Sequence, residues 1–418
     1  MAHQFLDLPG LESRLRDDPD LIEVDRALGS TECWVVGGWI RDRALGLEPP
    51  DLDLVVQGAG AAEEAAARLG ATWKTTPRLL GRPERAVWRL KSPRCKVEIW
   101  PMEDRNLEAD ALRRDFTCNA LFWRLPDGPF FDPSGGFGDI TNRRIRAISR
   151  NNLMVDPVRL LRGVRLTATL DGFSLDTRTR QWIADLAPSL ANAPRERVGT
   201  ELLNLAGAPR AFSGLQNAIE LDLLRFAEPR PSAAAPAFSA SLDNLERLTG
   251  RKSHPAPAAI TQSHPQATLS WLVSGWPSEH LKGLSPFSWP KKLTQSIGIV
   301  VSRSPEARSV VRQTAADRRE FIARCGPAFP AVLALAAAID TGLGGRQQPW
   351  LRWWRQWMQS GQSILNPTPL LSASEVSMLT ATEPGPQLGQ ILRDLERATI
   401  RREIRSPNGA RSRLRTLF

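Results

Sequence analysis

The segment from Glu32 to Val56 constrains the fold more than any other part of this 418-residue chain. Its apolar run Cys33-Trp34-Val35-Val36 stops at Gly37-Gly38, where glycine lets the backbone turn sharply. Trp39 to Leu45 carries a helical pattern closed by Gly46, Pro49-Pro50 interrupts the chain, and Asp51 to Val56 reads as a buried strand. Alternate side chains of a strand share a face, so Asp51 and Asp53 converge. Converging carboxylates repel each other unless a cation lies between them, and their hard oxygens suit Mg²⁺. A glycine turn that opens a helix can present backbone N–H groups to phosphate. Asp-x-Asp and Gly-Gly are each common alone. At this spacing, with Arg41-Asp42 just after the glycines, they point to a metal and phosphate site.

Two further runs carry chemistry. Arg113-Arg114-Asp115-Phe116-Thr117-Cys118-Asn119-Ala120-Leu121 sets two arginines beside polar residues that suit phosphate or ribose, although an Arg-Asp pair is equally often a surface ion pair of little worth. In Val155-Asp156-Pro157-Val158-Arg159-Leu160-Leu161-Arg162-Gly163-Val164-Arg165, Asp before Pro is an excellent helix start, with Asp156 as N-cap. Capping does not account for Arg159, Arg162 and Arg165 at steps of three. Asp156 and Arg159, one turn apart, could together face a planar base, the carboxylate accepting from an amino group and the guanidinium donating.

These runs resemble the class II tRNA nucleotidyltransferase and bacterial poly(A) polymerase family, within the polymerase-β-like nucleotidyltransferases. Gly37 to Asp42 and Asp51 to Asp53 match its GGxxRD turn and DxD strand. Arg113 to Leu121 is similar to RRDFTxNAL, and Asp132-Pro-Ser-Gly-Gly136 to a DPxGG turn whose role is structural. Asp156 to Arg165 is similar to EDxxRxxRxxR, with Val155 in place of the leading Glu. Arg195 to Leu202 resembles an ERIxxEL helix that braces the site.

The resemblance implies Asp51 and Asp53 as catalytic metal ligands for Mg²⁺. It also implies that Gly37, Gly38, Arg41, Asp42, Arg114, Asp115, Asn119, Asp156, Arg159, Arg162 and Arg165 bind the nucleotide. The expected fold is an α+β nucleotidyltransferase head, a mixed sheet with helices, followed by an all-α neck, body and tail. The expected boundaries are an N-terminal extension at 1–30, head at 31–148, neck at 149–210, body at 211–375 with a Pro/Ala-rich loop near 229–240, and a basic RNA-binding tail at 376–418. The implied reaction adds C, A or both from CTP and ATP to the 3′ end of tRNA. CCA-adding, CC-adding, A-adding and poly(A)-adding members share these blocks. Thirteen residues separate Trp100 from Arg114, and a shortened loop there resembles the CC-adding branch. A non-catalytic RNA-binding protein retaining the fold is the alternative from another class, and the intact Asp51 and Asp53 argue against it.

Composition excludes other chemistries. The four cysteines and four histidines are scattered, with no zinc or disulfide spacing and no histidine-aspartate hydrolase block. The net charge of +10 suits a nucleic-acid partner. No uninterrupted apolar run reaches the ~20 residues of a membrane span, and the N-terminus lacks a basic n-region, so a cytoplasmic protein is expected. Trp350, Trp353, Trp354 and Trp357 follow helical spacing and read as a packing face.

Overall fold

The computed structural model describes residues 7–81, 86–102, 106–227, 264–274, 287–342 and 345–417. They form two compact units, one of residues up to Pro194 together with 217–227, the other of 195–216 and the remainder. The Pro/Ala-rich stretch 229–240 lies outside the described residues.

The first unit opens on helices α1 (Leu8–Arg16) and α2 (Pro19–Leu28), which fill what the sequence offered only as an extension. Asp18 caps α2 by accepting from the Asp20 and Leu21 amides, and pairs with Arg43 at 2.7 Å. Strand β1 (Cys33–Val36), helix α3 (Gly38–Ala44) and strand β2 (Asp51–Gln57) follow as the glycine, proline and apolar pattern requires. Helix α4 (Ala59–Trp73) runs longer than its Ala/Glu-rich centre predicts. At Gly70 the chain passes close to the helix: a Cβ there would lie 2.8 Å from the Pro77 ring.

Strands β3 (Arg78–Leu80), β4 (Val87–Lys91) and β5 (Lys96–Met102) come next, then helix α5 (Leu107–Arg113) and strands β6 (Phe122–Arg124) and β7 (Phe130–Phe131). The sheet order is β3-β4-β5-β2-β1-β6-β7. Only β2 and β5 pair in parallel; the other neighbours are antiparallel. This pairing sets Val36 opposite both Asp53 and Phe122, and Asp53 opposite Glu98. β1 is buried along its whole length, which anchors the glycine turn at its end.

Helices α6 (Gly136–Thr141), α7 (Arg150–Val155), α8 (Val158–Thr169) and α9 (Thr177–Leu186), with the short parallel pair β8 (Arg144–Ile145) and β9 (Ser174–Leu175), complete the unit. α8 starts at Val158 rather than at Pro157, so Asp156 lies before the helix with its carbonyl accepting from the Arg159 amide. The Asp132-Pro-Ser-Gly-Gly136 turn is structural in its contacts. Asp132 accepts from the Gly136 and Phe137 amides, and the 2%-exposed Asp139 accepts from Thr117 Oγ1 and pairs with Arg144 and Arg146.

The second unit is helical. The Phe329–Gly342 helix is apolar on every side and forms its centre. The stretch Ala315–Thr341 is long enough to cross a bilayer and holds an 18-residue apolar window, but 72% of that window is buried inside the protein, as a core segment would be. Trp350, Trp353 and Trp354 are buried, and Trp353 packs its ring against Phe321 and Phe329 at 5.4 and 5.3 Å, so the tryptophans are a packing face.

Gly136 carries a test of this account. A methyl group there would sit 2.2 Å from the Thr117 carbonyl oxygen, so Gly136→Ala should destabilise the protein by about 2–3 kcal/mol in denaturant titration. An unchanged midpoint would refute the close approach of α6 to the Thr117 turn.

Candidate active site

Gly37 lies at the centre of the site. Its φ of +71° is a left-handed conformation natural to glycine, and its amide donates to the Leu121 carbonyl at 2.8 Å. A Cβ at Gly37 would lie 3.2 Å from Arg114 Nη1, 3.3 Å from the Asn119 carbonyl and 3.9 Å from Asp53 Oδ2. The turn, the second strand carboxylate and an arginine 77 residues further on therefore meet within one side chain's width.

Asp53 is partly buried and Asp51 is exposed, with Lys96 3.5 Å from Asp51. Burial pushes the Asp53 carboxyl up to about 6; Glu98 and Asp51 add to the rise, while Arg114 opposes it. Glu98 was not singled out from the sequence. It reaches Asp53 through the parallel β2–β5 pairing and is held by Arg89 at 2.6 Å. Among the described residues no three of His, Cys, Asp and Glu form a closed metal cage. Two carboxylates, one already disfavoured as an anion, are what a divalent ion uses when substrate phosphates supply further oxygens. The residues present fit such an ion.

Arg114 is aimed by groups the sequence did not announce. Asp110, one turn back on α5, accepts from its Nε and Nη2 at 3.2 and 3.0 Å, and the Phe122 ring lies 5.0 Å from its guanidinium carbon. Asn152 of α7 donates to the Leu112 and Arg114 carbonyls at 2.6 and 2.7 Å, fixing the backbone of the motif.

Behind Arg114 runs a buried polar chain. Arg41 donates to Asp42 at 2.8 Å and to the Asn119 amide oxygen. Asn119 in turn donates to Asp115 Oδ1 at 3.0 Å, Phe116 N donates to the same oxygen at 2.7 Å, and Arg162 Nη1 donates to Oδ2 at 2.9 Å. Burial alone would raise the Asp115 carboxyl, but Arg162, the Asn119 bond and Arg159 outweigh it and hold the group down at about 2. Arg41, Asp42 and Asp115 are 9%, 8% and 5% exposed, which sets them beneath the site surface. Gly163 lets α8 close over this chain, since a Cβ there would lie 2.8 Å from the Phe116 ring.

Arg159 Nη1 donates to the Arg113 carbonyl at 2.9 Å, while its Nε lies 3.5 Å from Asp156 Oδ2 without a hydrogen bond. Asp156 and Arg159 are thus neighbours, and Arg165 follows on the same helix. Val155, at the position of the block's Glu, is 63% exposed. Arg195 to Leu202 falls on the Arg195–Ala206 helix of the second unit.

Residues 33–146 match the poly(A) polymerase head domain, and 172–233 match the probable RNA- and SrmB-binding site of polymerase A. The CC-adding tRNA nucleotidyltransferase of Thermus thermophilus is 29% identical over 91% of this chain and 92% of its own. Residues 33–146 thus carry the poly(A) polymerase head domain, and over most of its length the chain is similar to tRNA nucleotidyltransferases. The A-adding tRNA nucleotidyltransferase of Deinococcus radiodurans is 28% identical over 90% of this chain and 94% of its own. The Thermotoga maritima CCA-adding enzyme complexed with tRNA shares the fold, with a TM-score of 0.71 at 18% identity over 97% and 98% of the two chains. The chain is an enzyme of the nucleotidyltransferase type, and nucleotidyltransferases generally use divalent metal ions.

The Asp115 pair yields a prediction with a defined sign. Its carboxyl is depressed in the folded state, so the stabilisation is present above the unfolded value near 4 and is lost as pH falls towards 2. Asp115→Asn should cost about 3 kcal/mol at pH 7 by removing the buried charge that Phe116 N, Asn119 and Arg162 engage. The gap between variant and native protein should narrow between pH 4 and 2 in equilibrium unfolding. A pH-independent gap would contradict the assigned pairing.

Proposed function

We propose that this protein transfers nucleotidyl groups from CTP, ATP or both to the 3′-hydroxyl of tRNA without a template, releasing pyrophosphate. The observation that carries the reading is the meeting of Gly37, Asp53 and Arg114 within about 4 Å. In this reading Asp51 and Asp53 hold Mg²⁺, and the Gly37-Gly38 turn presents the amide end of α3 to the triphosphate. Bound there, the ion neutralises triphosphate charge and makes a hydroxyl easier to deprotonate. Arg114, steadied by Asp110, is the cation facing the phosphates. Arg41, Asp42, Asp115, Asn119 and Arg162 hold the turn and the motif in register. Asp156 and Arg159 present an acceptor and a donor side by side, which suits the edge of a cytosine or an adenine. The arginine-rich 376–418 tail grips RNA backbone. A cytosolic location fits this work.

The connection after β5 favours CC addition as the product. Of the thirteen residues from Pro101 to Arg113, two finish β5 and seven form α5, which leaves four between them. The resemblance does not decide between products, since a CC-adding and an A-adding enzyme match the chain over nearly the same length and identity.

Asp51→Ala and Asp53→Ala should each lower nucleotide incorporation by about a thousandfold or more, roughly 4 kcal/mol in barrier, while tRNA binding in a filter assay stays near native. Turnover retained in either variant would sink the assignment. Incubation with tRNA lacking its 3′ end and both nucleotides, followed by sequencing, should show two added cytidines. A long adenosine tail would overturn the tRNA reading.

A further inference from the structure

The second unit holds a cleft that nucleotidyl transfer does not use. It has a volume of about 230 Å³ and lies where the helices Ala315–Cys325, Gln348–Leu365 and Pro386–Arg401 approach one another. Arg319, Arg402, Ser360, Ser363, Thr368 and Thr399 supply its polar lining, and no acidic or aromatic side chain joins them.

The charge around this cleft is one-sided. Arg319 Nε is buried with no hydrogen-bond partner, and neither Arg319 nor Arg402 meets a carboxylate among the described residues. Acids are close in sequence but committed elsewhere. Asp317 and Glu320 bind Arg401 at 2.9 and 2.6 Å, Glu320 also binds Arg397, and Glu403 is shared by Arg401 and Arg413. Arg319 is left facing cations: burial and the charges of Arg402, Arg405 and Arg318 all push its guanidinium below the usual range. Arg402 adopts φ +62°, a helix-ending position that glycine commonly takes.

Like charges gathered without a counter-ion are unfavourable, and a partly buried site sharpens the cost. The donors that remain narrow the ligand. Ser360, Ser363 and Thr399 spend their hydroxyl protons on the Gln356, Ser360 and Leu395 carbonyls. Two planar guanidinium groups and the Thr368 hydroxyl are left, a set that matches the oxygens of a phosphate.

We propose that this cleft is a phosphate-binding site, with Arg319 and Arg402 as its anion ligands. The anion is either a phosphodiester of bound RNA or free inorganic phosphate, and the RNA source rests on the tRNA reading above.

The test uses the full chain and the double variant Arg319→Gln/Arg402→Gln, with CTP binding as a control that neither residue should move. Affinity for a tRNA transcript lacking its 3′ end is measured across salt concentrations. Thermal midpoints are measured in sodium phosphate and in sodium chloride of equal ionic strength. If RNA supplies the phosphate, the double variant binds the transcript roughly tenfold more weakly and its log–log salt slope shrinks by about one. If the anion is free, phosphate raises the midpoint of the native protein and not of the variant, and RNA affinity is unchanged. Unchanged RNA affinity, salt slope and phosphate response together would overturn the proposal. A variant that unfolds early in chloride would also overturn it, because neutralising unopposed cations should not destabilise. A phosphate response in a protein that transfers no nucleotide would remove the tRNA reading and leave this site standing.

Discussion

The site depends on a buried carboxylate that faces away from solvent. A charge taken out of water is tolerable only when its oxygens are all engaged, and Asp115 meets that condition through its own run and through the distant Arg162. Phe116 contributes its own amide, Asn119 brings the turn that touches Gly37, and Arg162 brings α8. Because Asn119 also accepts from Arg41, the same chain of hydrogen bonds reaches the helix that begins at the glycine turn. Register between turn, motif and α8 is therefore set by polar satisfaction and completed by apolar packing around Phe116, which is fully buried.

This interior network separates two kinds of residue within one conserved-looking pattern of motifs. Arg41, Asp42 and Asp115 are buried within the framework, as is Asp156 beside Arg159, while Asp51, Asp53 and Arg114 keep surface of their own. Arg114 belongs to both: Asp110 and the Phe122 ring fix its direction, and the approach to Gly37 gives that direction a target. Asn152 adds a clamp from α7, so the segment before α8 also holds the backbone at Leu112 and Arg114.

What could be read from the sequence was local. The strand, glycine turn and second strand between Cys33 and Gln57 follow from glycine's backbone freedom and a period of two, and the α+β head with a helical remainder follows from that pattern and the helical periodicities after Asp156. The tryptophan face was legible because a helix repeats every 3.6 residues. Glu98 was not legible: it meets Asp53 only through the parallel pairing of strands 45 residues apart, with no short-range signal. Asp110 and Asn152 are ordinary helix residues until the chain folds them onto Arg114. Asp156 misled slightly, since Asp-Pro announces a helix start and the helix begins one residue later than Pro157. The cleft at Arg319 was invisible for the opposite reason: its arginines are defined by the acids they lack, and those acids are drawn off by Arg401 in a different part of the same fold.

The central claim is that Asp51 and Asp53, beneath the Gly37 turn, bind a nucleotide together with a divalent ion. Calorimetric titration of CTP into the protein with Mg²⁺ and then with chelator tests it most directly, repeated on Asp53→Asn. The account predicts that Mg²⁺ tightens CTP binding to the native protein by at least about tenfold, or 1.4 kcal/mol, and that the variant loses this gain. Equal affinity with and without the ion, or an unaltered gain in Asp53→Asn, would contradict it.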